Sequence, residues 1–577
     1  MRFLPITNQN DSGEQEMVNQ RKRDLVYLLV SIAIIVLVNV FSSQLFTRVD
    51  FTSEKRFTLS PITKDILRNL DEKVQITVYL EGDDFPAGFK RLNSSTFDML
   101  TDFEAYSNNK LDFDFVNPMA GNQQSQQQNY QQLMDKGIEP TNLNVATEGG
   151  NSQKIIFPAA LVTYKGVQIP VKLLQTQSGV DPQQVLNNSI QNLEYAFAST
   201  IKRITTGGRQ RIGFTEGHGE LTDLQLSDAM NSLADWSEVG RVDLKTITFA
   251  GMDKLKLIVV AKPQREFTET EKYKIDYFMM NGGRVLWSID QVSAELDSLR
   301  GVGEQLAFAK KLNLDDMLFR YGARVNYDLI ADLNSARIPI NVGSVAGQPQ
   351  IQLLPWLFYP VLIPVSTHPV VKNLDGIRSE FPSTIDLINV KGVRGEVILS
   401  SSPYNRKIEV PSMLSLQMVE KEPDPKLFQS SPKNIGVLLE GEFPSVFKNR
   451  PIPTGITAGA NFPEKSKPGK MFLIADGDIF KNQINSTDGS HYPLGFDRYT
   501  EIQYGNKNFL LNLTDYLMDD SGIIELRNKE IKLRLLDRAK IRTEKTFWQL
   551  INLALPLIML IVCGIFQHYY RIRKYAH

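Results

Sequence analysis

The chain has 577 residues, of which 42% are hydrophobic and 22% charged; 64 Lys and Arg face 65 Asp and Glu, for a formal net charge of −1. That length exceeds what one hydrophobic core supports and implies several domains. The charge balance offers no basic field for nucleic acid and no acidic tail. The single cysteine, Cys563, lies in an apolar run near the C-terminus, which excludes disulfides, thiolate metal sites and a cysteine nucleophile in the residues before it.

Residues 1–23 end in Arg21, Lys22 and Arg23 and lead into an almost uncharged apolar run, 24–46. The run is long enough to cross a bilayer core. It lacks the shorter apolar region and small-residue cleavage site of a secretory signal peptide, so it reads as an uncleaved transmembrane helix. A second run, 547–568, has Trp548 at one end, Tyr569 and Tyr570 just past the other, and Pro556 inside, a residue that membrane helices tolerate. Positive charge marks the cytoplasmic side. Arg21, Lys22 and Arg23 put the first tail inside, and Arg571, Arg573 and Lys574 do the same for the tail 569–577. Arg538, Lys540, Arg542 and Lys545 argue the opposite for the second helix, and the first helix is taken as decisive. The expectation is a two-pass protein of a bacterial inner membrane with its body in the periplasm.

In the body, Ser60 and Pro61 form a helix start, with Ile62, Ile66, Leu67 and Leu70 as its apolar stripe. A strand (74–80), a helix (89–107), a strand (111–116) and the glutamine-rich stretch 122–138, read as a loop ending in a short polar helix, follow. Two strands flank the turn at Lys165 and Gly166, and a helix covers 186–204. This order over 47–206 resembles a thioredoxin-like α/β domain without its cysteines. Gly207 and Gly208 mark a boundary.

From 207 to 335 the pattern predicts strands at 211–217, 240–249, 254–263, 284–290 and 325–333, with helices at 221–236, 268–281 and 313–321. Thr268 with Glu271 makes a capping box. Alternating strands and helices predict a doubly wound, parallel α/β sheet. Ligands of such sheets bind beyond the carboxyl ends of the strands. Glu216, His218 and Glu220 follow the first strand, Lys262 and Asp290 later ones, so Glu216, His218, Glu220 and Asp290 form a candidate ligand-binding crevice. The region 336–540 holds strands at 395–402, 435–443 and 470–480 and a helix at 506–518, and either completes or follows that domain.

The stretch 216–220, Glu-Gly-His-Gly-Glu, invites a catalytic reading. A metal site wants three or four ligands, and the body offers only His218, His368 and His491. The two glutamates lie too close in sequence to imply opposed acid and base. A tight turn, with His218 and Glu220 meeting exposed amides at a helix start, is favoured. There is no phosphate-binding GxxxxGK[ST], no HExxH and no GxSxG. The serines of 400–406 have no evident base, and Asp476 and Asp478 read as a strand-end turn in preference to a cation site. No catalytic residue, metal or cofactor is expected.

Several stretches then occur together: "FTSEKRFTLSPITKDIL", "RIGFTEGHGEL", "NGGRVLWSID", "VILSSSPYNR", "VLLEGEFPSVFKNRP" and "FLIADGDIF". In this order, between two apolar runs, they resemble the GldG family of gliding-motility proteins over nearly the whole chain. That family comprises auxiliary, substrate-binding-type subunits of ABC transporters. The resemblance implies a polytopic permease partner (GldF), a separate cytoplasmic ATPase (GldA) that binds the ATP, a source among gliding Bacteroidota and a link to type IX secretion. It also implies that the α/β domain is similar to a glutamine-amidotransferase-like module shared with an intraflagellar transport subunit. The enzymes of that group carry a cysteine nucleophile that is absent here. A non-enzymatic transporter subunit is expected; the alternative is a membrane-anchored envelope glycan or peptide hydrolase, or a carbohydrate-binding module, using the 216–220 loop.

Overall fold

The computed structural model describes residues 25–37 and 39, 58–82, 85–147, 150–175, 181–206, 208–345, 348–364, 366–419, 422–456, 465–485, 487–528 and 538–575. The basic triplet at 21–23, the end of the first apolar run and the stretch 51–57 lie outside them. The chain divides into two compact units, residues 1–50 with 57–529, and residues 51–56 with 530–577.

In the first unit, α1 (Pro61–Arg68) is capped by Ser60, whose side chain accepts the amide of Thr63. Next come β1 (Val74–Val78), α2 (Ala87–Tyr106), β2 (Leu111–Phe115) and α3 (Gln123–Asp135). The glutamine-rich stretch is helical almost from its start, because Asn122 caps it through the amide of Ser125. A hairpin of β3 (Thr141–Thr147) and β4 (Gly150–Ile156) precedes β5 (Ala159–Tyr164), β6 (Val167–Lys172) and α4 (Pro182–Thr205). The sheet order is β2-β1-β5-β6. β1 and β2 are parallel, and β5 runs antiparallel to both of its neighbours.

The large sheet begins with β7 (Arg211–Glu216), α5 (Ser227–Ala234), β8 (Glu238–Asp243), β9 (Leu257–Ala261), α6 (Glu269–Met280) and β10 (Arg284–Ser288). It is completed by β11 (Val393–Ser400), β12 (Asn434–Gly441) and β13 (Gly469–Ile474), with α7 (Asn506–Met518) following. The order is β11-β12-β13-β10-β9-β7-β8. Strands β13, β10, β9, β7 and β8 are parallel, and β12 and β11 add an antiparallel edge. Residues beyond 335 therefore complete the sheet begun at 211. The central parallel strands are buried on both faces, as such strands are: Leu257 and Val259 of β9 point into one core, Ile258 and Val260 into another. The first of these cores is continuous with that of the N-terminal sheet.

Within 207–335 three expectations differ. The helix predicted at 221–236 starts only at Ser227. The strand predicted at 240–249 ends at Asp243, and a single helical turn, Phe249–Met252, capped by Thr248, takes its place. The strand predicted at 325–333 is two short pieces outside the large sheet; Asp328–Asp332 pairs antiparallel with Asn405–Glu409. Apolar alternation reports burial and is silent about the partner strand. Ala323 and Val325 of the first piece pack into a core of the large sheet, whereas Leu329 and Ala331 of the second belong to a satellite of antiparallel strands with its own core of Trp356, Phe358, Tyr359, Phe381 and Leu414. Its longest feature is the hairpin of Ser335–Val345 and Gln348–Leu362.

In the second unit the helix Arg538–Tyr575 contains a stretch, Glu544–Arg573, long and apolar enough to cross a membrane. Its apolar side chains, Leu553, Leu560 and Phe566 among them, are exposed. The described part of the first apolar run, Leu25–Leu37, is an exposed apolar helix of 13 residues, shorter than a crossing.

Candidate functional site at the carboxyl edge of the large sheet

β7 ends at Glu216, and Gly217 (φ 109°) and Gly219 (φ 76°) turn the chain through left-handed conformations that glycine adopts without strain. Between them His218 is buried. Its ring stacks on Phe267 at a centroid distance of 3.9 Å and 10° between planes. Nδ1 lies 3.3 Å from Glu220 Oε1, and Nε2 lies 3.2 Å from Glu271 Oε2. A carboxylate oxygen on each ring nitrogen is a pattern that only the doubly protonated ring satisfies. Burial opposes that charge, but the bonds to Glu220 and Glu271 outweigh it and hold the pKa of His218 above its ordinary value. Burial likewise works against both carboxylates, yet His218 and backbone amides hold Glu220 below its ordinary range, and Thr268 and His218 do so for Glu271.

The loop is fixed from several sides. Its His218 amide donates to Glu220 Oε2 at 2.6 Å. The amides of Gln264 and Arg265 donate to the His218 carbonyl at 2.8 and 3.0 Å. Arg265 donates to the carbonyl of Gly217 at 2.8 Å. Glu271 also closes the capping box of α6, accepting the amide of Thr268 at 2.8 Å. The turn is thus pinned to the start of α6, not to that of α5.

A second cluster gathers beyond β9, β10 and β13. Lys262 follows β9 with φ 57°, a left-handed conformation uncommon for a side-chain-bearing residue. Its ammonium reaches Asp478 Oδ2, Glu295 Oε1 at 2.7 Å and Asp290 Oδ2 at 3.5 Å. Lys481 binds Asp478 Oδ1 at 3.0 Å, and Lys310 lies 3.5 Å from Asp290 Oδ2. The amide of Gly477 donates to Asp290 Oδ1. Asp476 accepts from Ser379 Oγ at 2.6 Å and from the amide of Glu380 at 2.9 Å. Burial disfavours the charge of Lys262, but Asp478, Asp290 and Glu295 more than compensate and push its pKa up. Burial drives Asp476 well up, while Lys481 and Lys262 overcome it at Asp478 and drive that carboxyl down. Oxygens of Asp290, Asp476 and Asp478 lie within 4.8 Å of one another, which is metal-ligand spacing. The Lys262 ammonium already pairs with two of them, Asp290 and Asp478.

The four residues picked from the sequence therefore separate. His218 and Glu220 form one cluster with Glu271, and Asp290 belongs to the other. Glu216 is exposed and joins neither. The 262–268 loop runs between the clusters, with Lys262 in one and Phe267 in the other. Asp476 and Asp478 lie in the turn just past β13, and Asp478 also completes the Lys262 network. Glu271 announced itself in the sequence only as half of a capping box, and Glu295 and Lys481 carried no local signal. Of the other histidines, His368 lies edge-on to Tyr516 at 4.7 Å, and burial lowers its pKa to about 4.

A cleft of about 440 Å³ lies elsewhere, between α4 and the residues around the end of α7. Tyr195, Lys202, Arg203, Trp236, Asp515 and Asp519 are among those that line it. Its charges are paired, Arg203 with Asp515 and Lys202 with Asp519.

Comparison with known proteins adds the following. Residues 209–513 match the family described as an ABC-type uncharacterized transport system, and residues 53–163 match a domain of unknown function. An uncharacterized protein of Borreliella burgdorferi is 21% identical over 553 residues, covering 94% of this chain and 95% of that one. Among solved structures, the mmIFT52 N-terminal domain aligns at TM-score 0.31 and 15% identity, over 54% of this chain and 99% of its own. A ThuA-like protein from Bacteroides uniformis aligns at TM-score 0.24 and 13% identity, over 54% and 91%. Scores this low carry no argument about this chain. The family match, in contrast, spans more than half of the 577 residues, and the chain belongs to that family of auxiliary components of ABC-type transport systems.

Proposed function

We propose that the chain is a non-enzymatic, membrane-anchored auxiliary subunit of an ABC transporter complex that serves gliding motility and is linked to type IX secretion, as in the GldG family. Its partners are a polytopic permease of the GldF type and, through it, a cytoplasmic ATPase of the GldA type. Two helices hold it in the inner membrane, with both tails cytoplasmic and the body periplasmic. The observation that carries this reading is the transport-family match over 209–513. The exposed apolar helices at 25–37 and 544–573 support the anchoring.

The chemistry of the carboxyl edge supports a non-catalytic role. Both ring nitrogens of His218 are engaged by glutamates, and Lys262 is surrounded by carboxylates. Glu216, which a hydrolase reading would pair with Glu220, stands apart. The order β2-β1-β5-β6 supports a thioredoxin-like N-terminal domain, and the parallel strands from β13 to β8 support an amidotransferase-like second domain extended by an antiparallel edge. The test is replacement of His218 and Glu220 by alanine in the native host. Gliding that survives at a normal level of the protein supports the reading. Loss of gliding at a normal level would restore the hydrolase.

A further inference from the structure

The cleft of about 440 Å³ beside α4 has the volume of a small-molecule site. Tyr195, Ser199, Lys202 and Arg203 reach it from α4, at the spacing of one helical face. Gln210 and Trp236, just past α5, line it as well, as do the end of α7 and the residues up to Ile524. Asp520, also in the lining, is held by Lys256 at 2.6 Å and by Arg284 at 2.9 Å. Lys256 immediately precedes β9 and Arg284 begins β10. The cleft therefore lies at the amino ends of the parallel strands, the edge opposite to the His218 and Lys262 clusters.

Every charged group in the lining is paired. Arg203 pairs with Asp515, which also accepts from the Tyr195 hydroxyl at 2.9 Å. Lys202 pairs with Asp519 at 2.6 Å and donates to the Ser521 hydroxyl. An ionic ligand would have to break one of these pairs and leave the displaced partner unbalanced, a cost that a neutral ligand does not meet. The same bonds brace the cleft, so that it is formed before a ligand arrives. Two polar groups remain uncommitted. The Trp236 indole is half-buried, with the Arg203 guanidinium 5.0 Å from its ring centre. Among the described residues, neither its N–H nor the side-chain amide of the exposed Gln210 has a hydrogen-bond partner.

We infer that this cleft binds a neutral saccharide of about one or two rings. The indole rewards an apolar face, and the C–H face of a sugar ring supplies one. The paired ions keep hydrogen-bonding capacity beyond their single partners, because a carboxylate offers about four acceptor sites and a guanidinium about five donors. A hydroxyl uses both through one oxygen, donating to a carboxylate and accepting from an ammonium or guanidinium. A purely apolar ligand would strip water from these groups and return nothing. The binding site goes beyond the transporter-subunit reading above and does not depend on it.

The test is titration calorimetry on the full-length protein in an amine-oxide detergent, since a maltoside detergent would itself offer a sugar. The probes are glucose, maltose and chitobiose, with a glucose phosphate as the charged counterpart. Saturable binding of a neutral sugar is expected, together with a change in tryptophan fluorescence. Trp287 and Trp356 are fully buried and Trp548 lies in the apolar helix, so that change reports on Trp236. Trp236→Ala should weaken binding about tenfold and Gln210→Ala about threefold, both at unchanged Tm. Gln210→Ala, at an exposed position, decides alone where Trp236→Ala lowers Tm. No saturable heat from any neutral sugar, tighter binding of the glucose phosphate than of glucose, or full affinity in the variants overturns the inference. The subunit reading stands in each of these cases, because the companions recovered from membranes do not depend on this cleft.

Discussion

Lys262→Met is the most informative substitution at the carboxyl edge. Methionine keeps much of the length and volume of lysine and deletes the charge. In the native protein the ammonium is almost fully buried and faces Asp290, Glu295 and Asp478. Its removal leaves buried carboxylates balanced only by Lys481 and Lys310 from the sides. Breaking a buried pair by deleting one partner costs about 3–5 kcal/mol. An unfolding entropy of about 2 cal/mol/K per residue over the roughly 470 residues of the body amounts to about 1 kcal/mol/K, so the expected fall in Tm is about 3–5 °C. Thermal unfolding of purified Lys262→Met, Asp478→Asn and the double variant measures this directly. The double variant should lose less than the sum of the singles, with a coupling of about 1 kcal/mol or more. A change in Tm below about 1 °C for Lys262→Met, or strict additivity, would refute the assignment of Lys262 as the internal counterion.

Three further outcomes are expected. His218 has a folded pKa above its ordinary 6.5, so its contribution is complete below that value and fades as pH rises through the folded pKa; Glu220 and Glu271, held below their ordinary 4.5, lose theirs as pH falls through their lower values. The stability margin of the native protein over His218→Gln should therefore be largest near pH 6, at about 1–3 kcal/mol, and shrink at pH 9; a margin that is flat or grows with pH contradicts the imidazolium clasp. Gly477→Ala would place a Cβ 2.6 Å from Lys262 Cγ and 2.9 Å from Asp290 Cγ, and it should cost about 1–3 kcal/mol by overpacking, read by the same melts. On the proposed two-pass topology, removal of residues 544–577 should leave the chain in the membrane after alkaline extraction, held by the first apolar run; release into the soluble fraction would contradict that topology.

Local signals in the sequence were read well where the chain specifies its own shape. Thr268 and Glu271 form the capping box, Lys165 and Gly166 form the hairpin turn, and the helix at 506–518 keeps its predicted ends. Lys262 and Asp290 lie together beyond the carboxyl ends of two neighbouring parallel strands, a placement that follows from backbone topology alone. Partner choice was not legible. Nothing local distinguishes Glu271, which reaches His218 across the sheet edge, from Glu216, which lies two residues away from His218 and points to solvent. The helix α6 also hides its burial: Lys272, Lys274 and Asp276 are charged residues inside the protein, each held by partners contributed from distant segments. The membership of β11, β12 and β13 in a sheet begun at Arg211 depends on pairings across up to two hundred residues, and periodicity carries no record of these.

The central claim, that the chain works as a subunit of a transporter, is tested most directly by purifying the tagged full-length protein from native membranes in mild detergent and identifying its companions by mass spectrometry. The account predicts a multi-spanning permease together with an ATPase that carries a phosphate-binding loop. Recovery of envelope glycan or secretion components with neither of these would contradict it.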